Sequence, residues 1–265
     1  SLISRSSDFT VNQKKIISYG KSDIITFLKS RGYKTAGFFD GRKAFNWLSS
    51  YPFDTFDNFP KTPILKEKFS HISKFVKENK NNKFFMLVSS FEIHHPHRYP
   101  PSFYKKFDPN YSGAAEKVSL LDHWHRLDNG LYSSTPDITH IKEDPKDHLQ
   151  DGQVIELSEK DIKNLVARYD EAIFHFDELV GEILQELKTQ GLDKKTIVAI
   201  TSDVGIMLFE KGTFSHAGPY DSQVRQILSV YKEGSNYHKI NSSQITHEYI
   251  PLELMRLLGF NSSTD

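Results

Sequence analysis

The chain reads as an α/β protein with a mostly parallel central sheet and helices on both faces. Thr196, Ile197, Val198, Ile200 and Thr201 form a β-branched run without polar alternation, as a strand buried on both faces of a parallel sheet requires. Helical and strand-like segments alternate upstream of it, and such alternation favours parallel strands covered by helices.

The elements follow in order from local signals. Ser22 is placed to cap a first helix through Ile24, Ile25, Phe27 and Leu28, which Gly32 closes. Residues 34–39 and 84–88 are short apolar runs bounded by polar residues or glycine, and read as strands. Between them Ile64, Phe69, Ile72, Phe75 and Val76 recur at helical spacing. Residues 110–152 break this rhythm. They are polar, rich in Asp, His, Ser and Pro, and predict a long surface excursion. Ser158 and Asp161 then make a capping box, after which Leu165, Tyr169, Ile173, Phe176, Val180, Ile183 and Leu187 recur every three or four residues along a long helix. Residues 220–265 complete the same domain. No repeat or linker divides the 265 residues, which suffice for one domain with a sizeable core.

Composition excludes several partner classes. Thirty-four basic residues balance 34 acidic ones, with no long run of one sign, so no nucleic-acid partner is expected. No apolar stretch approaches the roughly 20 residues that span a bilayer, and residues 1–10 do not read as a signal peptide. The absence of cysteine removes disulfides, thiolate metal sites and thiol nucleophiles together. His123 and His125 would share one face of a strand, but two ligands do not make a zinc site. Asn110, Asn241 and Asn261 each begin an Asn-x-Ser triplet, which matters only in a secretory pathway.

Chemistry concentrates after the strand at 196–201. Asp203 lies at its carboxyl end, where open α/β sheets bind ligands. The competing reading has Asp203 cap the turn that follows. Ser202-Asp203-Val204-Gly205, Glu210-Lys211-Gly212, His216 and Tyr220-Asp221 follow in an order that resembles the C-terminal signature of sulfatases. That family has His or Asn where Val204 stands and Pro where Ile227 stands.

Four more segments are similar to the same family in the same order: residues 24–41, a helix, Gly-Tyr turn and strand; 83–101, a strand leading to an active-site His-x-Pro; 158–191, a long helix; and 246–260, a late helix with Tyr249 in place of Asp. The resemblance implies a sulfatase or alkaline-phosphatase-like fold, of which this chain corresponds to the C-terminal two-thirds. The family's first strand, with its paired Asp ligands, has no counterpart here, and neither does its Cys/Ser-x-Pro-x-Arg source of formylglycine. Ser1-Leu2-Ile3-Ser4-Arg5 carries Ile3 where the Pro belongs. On this expectation a complementary N-terminal segment or partner chain covers the open strand edges.

The implied chemistry is hydrolysis of a small-molecule or glycan sulfate ester. Charge builds on the leaving oxygen, so such a site uses a divalent cation, cationic donors and a general acid. By resemblance Asp203 would be an oxygen ligand to Ca²⁺ or Mg²⁺, to which Val204 adds no donor. His94 would bind the sulfate or protonate the leaving group, with His95 as the alternative because the register to Pro100-Pro101 slips by one. His216, four residues before Tyr220, would donate a proton or hydrogen bond. Lys211 would supply a fixed positive charge to the substrate. Two other readings stay open: a phosphoester or phosphonate hydrolase of the same fold, and a catalytically silent binding protein. The chain alone is expected neither to bind Ca²⁺ tightly nor to turn over sulfate esters. Family members are often secreted, periplasmic or lysosomal, and the sequence leaves the compartment open.

Overall fold

The computed structural model describes residues 24–40, 50–59, 65–94, 100–118, 125–128, 131–134, 154–210, 213–215, 220–232, 234, 246–247 and 249–260. Two compact units form. One comprises residues 1–61, 74–89 and 235–265, the other residues 62–73 and 90–234.

The first unit is built on a parallel sheet. Helix α1 (Ile24–Ser30) ends at Gly32, whose φ of 82° only glycine adopts without strain. The Gly32 N–H donates to the Lys29 carbonyl and the Tyr33 N–H to the Leu28 carbonyl, a Schellman closure that satisfies two helix-end acceptors. The chain then enters β1 (Lys34–Asp40), which pairs in parallel with β2 (Thr55–Phe59) on one side and β3 (Phe84–Val88) on the other. Phe38 and Phe39 point to opposite faces of β1 and both are buried. Phe38 meets Phe75 of helix α2 (Leu65–Glu78), which also packs on Phe84. Phe39 meets Phe53 and Phe56. The predicted α/β class, its strands at 34–39 and 84–88, and the helix between them are what the structure has. The Ser22 cap lies outside the described residues.

The second unit is centred on helix α4 (Glu159–Thr189) and two antiparallel sheets. Its capping box forms as the sequence predicts: the Asp161 N–H donates to the Ser158 hydroxyl, and the Ser158 N–H donates back to the Asp161 carboxylate at 2.7 Å.

The stretch at 110–152 departs from the expected surface excursion. It holds the short helix α3 (Ala115–Val118) and the strands β4 (His125–Asp128) and β5 (Leu131–Ser134), and Tyr111 and Ala115 are buried. A sheet of order β6-β5-β4-β9-β8 takes up the strands together with β6 (Val154–Glu156), β8 (Met207–Leu208) and β9 (Thr213–Ser215). Asp128 pairs with Leu131, so two residues connect β4 to β5. Those residues, Asn129 and Gly130, are the pair that two-residue hairpins favour.

Strand β7 (Val198–Thr201) differs too. It pairs antiparallel with β10 (Leu228–Tyr231), and its residues are half-buried or exposed rather than enclosed on both faces. A β-branched run marks extended backbone but does not distinguish a sheet centre from a two-stranded ribbon.

The buried face of α4 is only partly the predicted apolar one, of which Leu165 and Leu187 are buried. Ile173 is 41% exposed, whereas Asp161, Asn164, Arg168, Glu171 and His175 are each no more than 6% exposed. They fall three or four residues apart on one face, alongside Leu165, Ala172 and Leu179.

Candidate functional site

Asp203 sits where the sequence placed it, in the turn that leaves the carboxyl end of β7. Its side chain is exposed, and Oδ1 accepts the Val204 N–H at 2.9 Å, so the carboxylate caps its own turn. Val204 beside it is 45% exposed. Glu210, further along, accepts the Leu208 N–H. Thr201 donates its hydroxyl to the Ile227 carbonyl at 2.8 Å and so ties the end of β7 to the approach of β10.

Gly205 explains the glycine of this motif. A Cβ there would clash with the Ser222 carbonyl oxygen and lie 2.9 Å from that of Arg225. Only the absent side chain allows the turn to approach helix α5 (Asp221–Val224) backbone to backbone.

His94 lies in the second unit with Asp203, in a turn beyond β3. Its N–H donates to the Phe91 carbonyl at 3.0 Å and its ring is half-buried, 5.3 Å from the Phe91 ring. His95, Lys211 and His216 lie outside the described residues, as does His123, and so does the side chain of His125. Sequence reasoning missed Glu92, in the same turn as His94. It is 3% exposed and accepts the Ser90 hydroxyl. A Glu flanked by Phe91 and Ile93 directly after a strand is the signal that points to it.

A second polar constellation, also missed, joins α4 to residues 101–118. The Tyr111 hydroxyl donates to the Asp161 carboxylate and accepts the Ala115 N–H at 2.8 Å. Arg168 donates to the Ala115 carbonyl at 3.0 Å, Asn164 to the Asp108 carboxylate at 2.9 Å, and the Phe107 N–H to Glu171 at 3.3 Å. Burial alone would raise the pKa of Asp161, but bonds from the Ser158 hydroxyl, Tyr111 and the backbone outweigh it and hold the carboxyl at about 2. Burial, reinforced by the bond to Asp161, pushes the Tyr111 phenol up to about 12. The pair stays in one protonation state across neutral and mildly acidic pH. Its chemistry is that of a clamp.

Among the described residues the donors around Asp203 do not by themselves make a divalent-cation site. Among the described residues no group of three His, Cys, Asp or Glu side chains could hold one. Calcium takes six to eight oxygens and magnesium six, whereas Asp203 brings one carboxylate already engaged by its own turn. Among the described residues, too, no helix is long and apolar enough to cross a membrane.

Among solved structures the chain is similar to the lipoteichoic acid synthase LtaP from Listeria monocytogenes, at 18% identity and a TM-score of 0.49, covering 91% of this chain and 53% of that one. It is also similar to BT4656, solved in complex with its substrate D-glucosamine-2-N,6-O-disulfate, at 16% identity and a TM-score of 0.48, covering 80% and 55%. The chain thus spans about half the length of these structures. No curated protein matches it significantly. The sulfatase family model matches residues 4–260, nearly the whole chain, and the protein belongs to the sulfatase family.

Proposed function

We propose that the protein serves hydrolysis of a sulfate ester, as a sulfatase-like hydrolase whose site is completed by residues outside this sequence. The family match over residues 4–260 carries this reading. The family acts on sulfate esters and generally uses a divalent metal. In this reading His94 or His95 binds the sulfate or protonates the leaving oxygen, His216 donates a second proton or hydrogen bond, and Lys211 holds the anion. Asp203 is the metal-side carboxylate. The described donors do not hold a metal by themselves, and no step is assigned through one. A complementary N-terminal segment or chain is the source of the remaining groups.

The alternative is a catalytically silent member that binds a sulfated ligand. Val204 in the metal motif favours it, because a hydrocarbon side chain supplies no donor. So does Ile227, which stands where the family has Pro.

Turnover of an aryl sulfate by the natural full-length protein separates the two. The hydrolase reading expects turnover, and Asp203→Asn lowers kcat/KM by about tenfold or more, by analogy with the loss seen when outer-shell ligand supports are removed. Binding of the sulfate ester without turnover establishes the silent alternative. Turnover of the aryl phosphate alone makes the protein a phosphoester hydrolase. For the 265-residue chain alone, calorimetric titration with Ca²⁺ is expected to show no tight binding. A micromolar Kd would overturn that expectation.

A further inference from the structure

We propose that His175 is an acid-sensing clasp, and that protonation of its buried imidazole releases the Phe103 end of residues 101–118 from α4. Residues 101–118 run over α4 as a strap. Most of the strap is exposed, and it is anchored by three buried side chains, Phe103, Tyr111 and Ala115. Tyr111 and Ala115 are held by the Asp161 and Arg168 bonds described above. Phe103 packs against rings, with its centroid 4.7 Å from His175 in an edge-on contact and 5.8 Å from Phe174. His175 is 4% exposed, and its Nδ1 has no hydrogen-bond partner among the described residues.

A neutral imidazole tolerates that site, since it leaves one acceptor unfilled. An imidazolium fits it worse, because Nδ1 becomes a donor with no acceptor and the charge sits on a ring that is 4% exposed. The cheapest escape is for the Phe103 end of the strap to lift and let water reach the ring.

The charges around the ring do not reverse this. No ionisable group comes from the turn Pro101–Phe103. Lys66, from α2, opposes protonation, while Glu178 and Glu182, farther along α4, favour it. Burial is the largest influence, and the pKa is held below the usual 6.5. The sign follows from linkage. Above 6.5 the ring is neutral whether the strap is closed or open, and nothing is lost. Below 6.5 the open form takes up the proton first and gains on the closed form about tenfold per pH unit, until the depressed pKa of the closed form is reached. The Asp161–Tyr111 clamp does not titrate in that range, so the response belongs to the His175 end.

Hydrogen exchange on the full chain at pH 7.5 and 5.0, corrected for intrinsic rates, tests the proposal without requiring any activity. Peptides covering 101–107, with the Phe107 amide, are expected to lose protection at pH 5.0, while the amides of Tyr111 and Ala115, held by the clamp, keep theirs. Peptides covering Lys34–Asp40 should not change. In His175→Phe, which keeps an aromatic ring against Phe103, the strap should be equally protected at both pH values, and His175→Gln should behave alike should the first variant fold poorly. A strap whose protection does not change with pH, one that responds equally in the variants, or a loss spread equally over Lys34–Asp40 overturns the proposal.

Discussion

Asp161→Ala is expected to destabilise the protein by about 3 kcal/mol, because one carboxylate serves two structures. It completes the capping box with Ser158, and losing a cap costs about 0.5–2 kcal/mol. It also accepts the buried Tyr111 hydroxyl, and a buried donor left without a partner costs about 1–3 kcal/mol. For a chain of this length that corresponds to a fall in Tm of roughly 6–12 °C, measurable by thermal unfolding. Asp161→Asn retains the shape and part of the hydrogen bonding, and should fall between the two. Acid separates the charge from the shape. The carboxyl is held at about 2, below its ordinary 3.8, so its stabilisation is complete above about 3.8 and disappears as pH falls toward 2. Wild type should lose its advantage over Asp161→Asn in that window. If the two stay equally far apart from pH 5 to pH 2, the charge is not what holds the strap.

Gly205→Ala carries the second large effect. The added methyl meets backbone carbonyls of Ser222 and Arg225, which cannot rotate away as a side-chain tip can, so the turn after Asp203 and helix α5 must separate. Overpacking of this kind costs about 1–3 kcal/mol, and a fall in Tm of roughly 2–12 °C is expected. Gly205 meets this limit through closeness rather than through dihedral freedom, since it is not among the glycines with positive φ. Serine should therefore be no better tolerated than alanine. A Gly205→Ala protein as stable as wild type would show that the turn is free to move away from α5.

What could be read in the sequence was local. The closure of α1 at Gly32, the runs of β1 and β3 and the cap of α4 depend on residues within a few positions of one another, and all form. What could not be read depends on distant partners. The periodicity of α4 suggested an apolar face, yet its inward stripe holds Asp161, Arg168 and Glu171, whose partners lie some 50 to 64 residues away. Polar residues inside a helix look like solvent-facing ones until their partners are known. The β4–β5 hairpin was hidden differently. Asn129-Gly130 marks it, but within a stretch whose overall polarity read as surface. Of the candidate site, the position of Asp203 was legible, and so was the reading in which its carboxylate caps its own turn.

The clamp between the strap and α4 joins residues on either side of positions 119–157. Closing a longer loop adds only about 0.6 kcal/mol for each doubling of its length, while the bonds from Tyr111 and Arg168 do not depend on what lies between. Within the intervening segment β4, β5 and β6 are bound into a sheet, so residues gained or lost between Ser134 and Val154 should cost little only while the paired strands keep their length.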